Sequence, residues 1–441
     1  MGFEWLEGPL EQLAAPEKGS IAIGPFGSRM KADCYVEKGV ALIRGTNLGR
    51  GRSLSGEFVF ITREKAIELG NANLKPGDLV FPHRGAIGEV GIVPDDGRRY
   101  ALSTSLMKIT LAFNQGIPDF YYYFFRSIKG QSELLKNASQ VGTPGIATPL
   151  KSLRECIVPL PSFVDQVNVV AVLRCLDDRI DLLRQTNATL EAIAQALFKS
   201  WFVDFDPVHA KADGRAPEAV DAATAALFPS EFEESELGPI PKGWRARSLD
   251  SVATYLNGLA LQKFPAESES EFLPVIKIAQ LRAGNTTGSD RASAHLKPEY
   301  VVHDGDVLFS WSGSLEVEFW CGGDGALNQH LFKVTSDEAP EWFYYLATRM
   351  HLPEFRRVAA SKATTMGHIQ RKHLAQAKVA VPPPEVLAAG TKIIEPLLGR
   401  RITNSLQMRE LVQLRDTLLP RLISGKLRLP EATEAVEAVL A

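Results

Sequence analysis

Long apolar runs are missing from this 441-residue sequence: no stretch approaches eighteen consecutive apolar residues, which excludes a membrane-spanning helix of ordinary length. The first eight residues show neither the basic start nor the apolar core of a signal peptide. Cysteine is scarce, with four residues (Cys34, Cys156, Cys175, Cys321) in no CxxC or Cys/His spacing; they are expected to be reduced thiols of a cytoplasmic protein. Chemistry-bearing motifs are absent as well. There is no GxxxxGK[ST] phosphate cradle, no HExxH, no GxSxG, and no cluster with metal-ligand spacing. The proline-aromatic tetrapeptides of amino-methyltransferases are missing, and Asp206-Pro207 is the nearest approach. Gly24–Met30 (GPFGSRM) is too short for a dinucleotide loop and reads as a tight turn between strands. The sequence therefore predicts a chain without catalytic equipment, cofactor or metal of its own. A net charge of -3 does not advertise nucleic-acid binding, so the distribution of charge decides.

What the sequence does contain is a plan written twice. LKPGDLVFPHRGAIGEV (74–90) matches VVHDGDVLFSWSGSLEV (301–317), each a Gly-Asp turn, an apolar strand and a glycine loop. PDFYYYF (118–124) matches PEWFYYL (340–346), an acid beside a proline and then a packed aromatic face. VPLP (158–161) matches VPPP (381–384), and a long helical pattern follows each. The matches keep one order at offsets of about 221 to 228 residues, so the chain is a tandem duplication.

From Phe163 to Trp201 a heptad seam runs through Leu173, Leu176, Ile180, Leu183, Asn187, Leu190, Ala194, Leu197 and Trp201. Such a helix is roughly 55–60 Å long at 1.5 Å per residue, so it must lie against another long helix. The second, over about 385–424, offers an apolar face that includes Leu411, Leu414 and Leu418. Antiparallel packing of the two is expected to place the globular modules at opposite ends, with Asn187 fixing register at some cost in stability. The predicted fold class is α+β: a duplicated mixed α/β module plus a long helix, the two helices forming an antiparallel coiled coil. The expected division is 1–157 and 240–380 for the modules, 158–205 and 381–441 for the helical regions, and 206–239 for an acidic, solvated connector with a short helix near Ala219–Leu227.

Basic residues concentrate at Arg29–Arg52 in the first module and Arg356–Lys378 in the second, as phosphate contacts would require. The loops supply candidate base readers. Arg84 can donate two hydrogen bonds to a guanine edge, whereas Ser310 and Ser312 make weaker, less selective contacts. A second loop pair, 139–148 and 361–370, is rich in Gly, Ser and Thr. The candidate DNA-contacting residues are Arg29, Lys31, Arg44, His83, Arg84 and Thr143 in the first module. In the second they are Lys277, Ser310, Trp311, Ser312, Lys362, Thr364, Thr365, His368 and Arg371.

The chain resembles the DNA-specificity subunits of type I restriction-modification systems. The resemblance is carried by GPFGSRMK (24–31), HRGAIGEVG (83–91), PLPSFVDQ (159–166), ALFKSWFVDFDP (196–207), LGPIPKGW (237–244) and LRDTLLPRLISGKL (414–427), which span nearly the whole length. PPPEVLAAG (382–390) departs from it, lacking the Glu-Gln pair usual after the prolines. The resemblance implies two target-recognition domains reading the halves of a bipartite double-stranded DNA site, with the helix pair as a ruler between them. It implies two methyltransferase (modification) subunits that bring S-adenosylmethionine and methylate adenine, and restriction subunits that use ATP and Mg2+; those cofactors sit on the partners. The residues alone leave open a silent specificity subunit whose loops no longer read DNA, and a coiled-coil scaffold joining two modules without DNA readout.

Overall fold

The fold was established from a computed structural model that describes residues 5–26, 29–49, 51–52, 54–139, 142–218, 220–361, 367–427 and 429–440. Contacts divide the chain into two units, Met1–Asp181 with Glu410–Ala441, and Leu182–Arg409. We call these unit 1 and unit 2. Among the described residues no helix is long and apolar enough to cross a membrane.

Unit 1 holds an antiparallel sheet in the order Ile21–Ile23, Leu106–Ile109, Leu79–Pro82, Gly91–Ile92. A five-stranded sheet lies in the order Tyr35–Val36, Val59–Ile61, Val40–Ile43, Tyr100–Leu102, Asn73–Leu74, with one parallel pairing between Val40–Ile43 and Tyr100–Leu102. Unit 2 repeats both. Its antiparallel sheet runs Thr254–Asn257, Leu331–Thr335, Val307–Ser310, Val317–Phe319. Its mixed sheet again has one parallel pair, Leu273–Ile276 with Gly325–Leu327. In each unit the opening strand pairs with the last strand before a long helix: Glu7–Pro9 with Ile157–Pro159, and Arg245–Ser248 with Lys378–Val381.

The Gly-Asp turn explains why these strands fold alike. Gly77 and Gly305 take φ of +85° and +97°, a conformation that suits glycine. The aspartate then reaches into the sheet. Asp78 is fully buried and pairs with Lys108 at 2.7 Å; Asp306 pairs with Lys333 at 2.7 Å. The aromatic helices Pro118–Arg126 and Glu341–Met350 are buried nearly all round, from Phe120 to Phe125 and from Trp342 to Thr348. Pro118 occupies the first helical turn, whereas Pro340 is the N-cap of its helix.

The two long helices run from Phe163 to Phe202 and from Pro384 to Ile423. Within unit 2 they pair antiparallel: Asn187 meets Arg401, Asn404 and Ser405, Glu191 meets Arg401, and Phe202 lies beside Gly390. Leu183, Ala194 and Phe198 face this seam, buried like Ile394 and Leu398, while Leu190 and Leu197 are half-buried. In unit 1 the buried seam positions are Leu173, Leu176 and Ile180 on the first helix and Leu411 and Leu418 on the second, with Leu414 half-buried. The connector is not merely solvated. It forms helices Asp206–Ala212 and Ala222–Ala226 and a hairpin, Phe232–Ser235 with Gly238–Pro241. Its Val208 and Phe228 are buried, the latter stacked edge-on against Trp201 at 5.3 Å, because these apolar residues outweigh the acids around them. Ala219, in the helix expected there, lies outside the described residues, as do positions 27 and 28 of the expected Gly24–Met30 turn.

Candidate nucleic-acid interface

Two loops far apart in sequence meet in each unit. In unit 1 the loop after the strand Leu79–Pro82 bridges the loop around Gly145: Arg84 pairs with Gly145, and the Gly85 amide donates to Pro144 at 2.8 Å. In unit 2 the loop after Val307–Ser310 does the same: Ser312 pairs with His368, and the Gly313 amide donates to Gly367 at 2.9 Å. A third segment follows the parallel strand of each mixed sheet. It opens on a basic N-cap, Arg44 or Lys277, whose amide is held by the side chain three residues on, Asn47 (3.0 Å) or Gln280 (3.3 Å). Gly45 of this segment approaches Ala86 of the first loop in unit 1, and Arg282 of its counterpart donates to Ser314 at 3.4 Å in unit 2. Three loops thus form one face in each unit.

The candidate residues distribute unevenly over these faces. Arg84 and Thr143 are exposed at the bridged tips of unit 1. Arg29 and Lys31 are exposed, with Arg29 donating to the Glu68 carbonyl at 3.4 Å. Arg44 is half-buried: Nη2 donates to the Glu57 carbonyl at 2.8 Å, and Nε has no partner among the described residues. In unit 2, Lys277 forms an ion pair with Asp290. Ser310 is fully buried; its hydroxyl donates to the Ser314 carbonyl at 2.6 Å and accepts the Glu316 amide at 2.8 Å. Ser312 is 3% exposed and shares a 3.0 Å hydrogen bond with His330 Nδ1. Both serines therefore hold the loop together instead of lying open to solvent. His368 is half-buried against the Trp311 ring. Arg371 is exposed, donates to the Tyr255 carbonyl at 3.2 Å and lies over the Phe332 ring. Lys362, Thr364 and Thr365 lie outside the described residues.

Sequence reading missed Arg282, which is exposed at the end of the helix Ile278–Ala283 beside the loop that follows Val307–Ser310. Nothing in its local sequence marks it; only the fold carries it there. Arg356, which opens the basic stretch 356–378 without being among the candidate residues, spans the Leu315 carbonyl (2.8 Å) and Glu316 (3.1 Å) at the base of that loop.

Behind each face, the aromatic helix is tied to the long helices by a tyrosine and an ion pair. In unit 1 the Tyr123 hydroxyl donates to Asp177 at 2.7 Å, and Asp177 pairs with Arg415 at 2.8 Å. In unit 2 the Tyr345 hydroxyl donates to Glu191 at 3.1 Å, and Glu191 pairs with Arg349 at 3.0 Å and Arg401 at 3.2 Å. Gln166 further clamps unit 1, accepting the Ile117 amide at 2.8 Å and donating to Gln115 at 3.0 Å. In unit 2, where Ala389 stands at the place of Gln166, Trp342 of the aromatic helix donates to Thr391 of the second long helix at 2.9 Å.

Comparison with known proteins places this geometry. The model of the family described as "Type I restriction modification DNA specificity domain" matches residues 27–192 and 241–405, one stretch per copy and well over half the chain. The chain is 25% identical over 406 residues to the type I restriction enzyme HindI specificity subunit of Haemophilus influenzae, covering 80% of this chain and 87% of the relative. It is 27% identical over 393 residues to the MjaIX specificity subunit of Methanocaldococcus jannaschii, covering 85% of each. A crystal structure of a type I restriction-modification S subunit from M. genitalium superimposes with a TM-score of 0.53 at 14% identity, covering 95% of this chain and 96% of that one, which agrees in fold. With both copies matched in sequence and the duplicated architecture shared, the chain belongs to the type I restriction-modification DNA specificity family.

Proposed function

We propose that this chain reads a bipartite DNA site for a type I restriction-modification complex, each unit's three-loop face taking one half-site. One observation carries the reading: the same bridged loop frame occurs in both units while its outer residues differ, the exposed Arg84 and Thr143 in one, the half-buried His368 beside a buried Ser312 in the other. A kept frame with changed tips is what two modules with different targets require. Arg84 suits a guanine edge, and the basic N-caps Arg44 and Lys277 suit phosphates. Two modification subunits, carrying S-adenosylmethionine, would methylate adenine at the site, and restriction subunits using ATP and Mg2+ would cut DNA that lacks the mark. This chain then contributes binding and positioning and no catalytic group.

The test is genome-wide adenine-methylation mapping in a methylation-free host, with this chain expressed with and without the methyltransferase encoded nearest to it. Methylation at a two-part motif with a fixed gap, appearing only with both proteins, is the expected result. A soluble complex that marks no motif would refute DNA readout by this chain.

A further inference from the structure

His83 and Trp311 stand at matched places in the two reading loops, and their surroundings give them one shared task. In unit 1, His83 follows the strand Leu79–Pro82. Its Nε2 lies 3.2 Å from the Thr104 carbonyl, its amide donates to the Ser105 carbonyl at 2.9 Å, and its own carbonyl accepts the Ile146 amide at 2.9 Å. In unit 2, Trp311 follows Val307–Ser310. Its Nε1 donates to the Gln329 carbonyl at 3.1 Å and to Asn257 at 3.0 Å; its amide donates to the His330 carbonyl at 3.3 Å, and its carbonyl accepts the Ile369 amide at 3.0 Å. Thr104 and Ser105 lead into the strand Leu106–Ile109 as Gln329 and His330 lead into Leu331–Thr335.

Two chemically unlike rings thus present one N–H to one equivalent carbonyl. A carbonyl oxygen only accepts, so His83 holds its hydrogen on Nε2. Burial holds its pKa below the usual histidine value, favouring the neutral ring. The neighbouring residue differs: an exposed Arg84 in one loop, a buried Ser312 in the other.

We propose that His83 and Trp311 are positioning residues that hang each reading loop from its sheet through a ring N–H, and that neither reads a base. The proposal rests on the reading of this chain as a DNA-specificity subunit. It makes the two positions exchangeable between the copies. His83→Trp is the change this equivalence favours, because the smaller Ser105 and Gly145 stand where unit 2 has His330 and His368 around Trp311. His83→Phe keeps a ring and removes the N–H.

The experiment is methylation mapping of the assembled methyltransferase complex carrying wild-type chain, His83→Trp or His83→Phe. His83→Trp is expected to mark the wild-type motif in both halves. His83→Phe is expected to lose roughly fivefold in methylation of wild-type sites, as for one lost hydrogen bond, and to accept other bases in the half read by unit 1 only. If His83→Trp changes the bases accepted, or if its complex does not assemble, the proposal is overturned. It is equally overturned if His83→Phe matches wild type. A wild-type complex that marks no bipartite motif would instead defeat the DNA-specificity reading itself.

Discussion

Removing the Asp78 carboxylate should cost unit 1 far more than the matched change costs unit 2. Asp78 is fully buried and accepts from the Lys75 amide at 2.9 Å, Lys108 at 2.7 Å and Thr110 at 2.5 Å. Lys108 is 4% exposed, and among the described residues it keeps, without Asp78, the Asn73 carbonyl at 3.0 Å and the Thr110 hydroxyl at 3.4 Å. An ammonium left buried without its counter-charge costs about 3–5 kcal/mol. The matched pair Asp306–Lys333 is wetter, with side chains 21% and 14% exposed, so water takes up part of the loss and about 1–2 kcal/mol is expected. At about 2–4 °C per kcal/mol for a unit of this size, Asp78→Ala should lower the melting temperature of unit 1 by about 6–20 °C. The double variant Asp78→Leu with Lys108→Met should recover most of that, since an apolar pair strands no charge. Differential scanning calorimetry measures all four proteins. A loss under about 1 kcal/mol for Asp78→Ala, or a larger loss for Asp306→Ala, would refute the reasoning.

Further outcomes can be checked in the same way. Asn187→Leu should destabilise the helix pair by about 1–3 kcal/mol, because it strands the Asn404 amide that donates to Asn187 at 2.9 Å, and thermal melting measures it. Exchanging Asp177 and Arg415 (Asp177→Arg with Arg415→Asp) should regain most of the stability lost in either single change but not the Tyr123 contact, and a double-mutant cycle in urea resolves the two. Burial depresses the pKa of both His83 and His351. The unfolded chain therefore takes up their protons first on acidification, and stability present above about pH 6.5 should be lost as pH falls towards their folded values; His351→Gln should flatten the melting temperature between pH 7.5 and 5. Cys175 is exposed, whereas burial pushes the Cys156 and Cys321 thiols up to about 12 and about 11. Mass spectrometry after brief alkylation at pH 8 should find Cys175 modified well before either.

The duplication and the long helices were legible because they repeat a pattern that physics reads locally. A heptad seam, a Gly-Asp turn before an apolar strand and an aromatic run after a proline each declare themselves within about twenty residues. The face itself was not legible in that way. Arg84 meets Gly145, and Gly313 meets Gly367, across more than fifty residues of chain, and only strand pairing in three dimensions brings them together. Ser310 and Ser312 looked like readers because a serine in a glycine loop is usually exposed. Here the loop folds back, and Ser310 takes the Glu316 amide that no strand partner is there to satisfy.

Glu191 lies between the seam positions Leu190 and Ala194, where an acid in a long helix ordinarily faces solvent. It is 7% exposed, because the arginines of two other helices and the Tyr345 hydroxyl converge on it. Asp177 does the same work in unit 1 with Tyr123 and Arg415. In both units the first long helix supplies the acid and the second the arginine, although duplication alone would have exchanged those roles between the copies. Each acid is also the acceptor for the tyrosine of its own aromatic helix, so helix pairing and attachment of the recognition fold depend on one carboxylate. A substitution there loosens both at once, whereas a substitution at a loop tip such as Arg84 touches neither. That separation lets the loop tips differ between the copies without disturbing the frame that carries them.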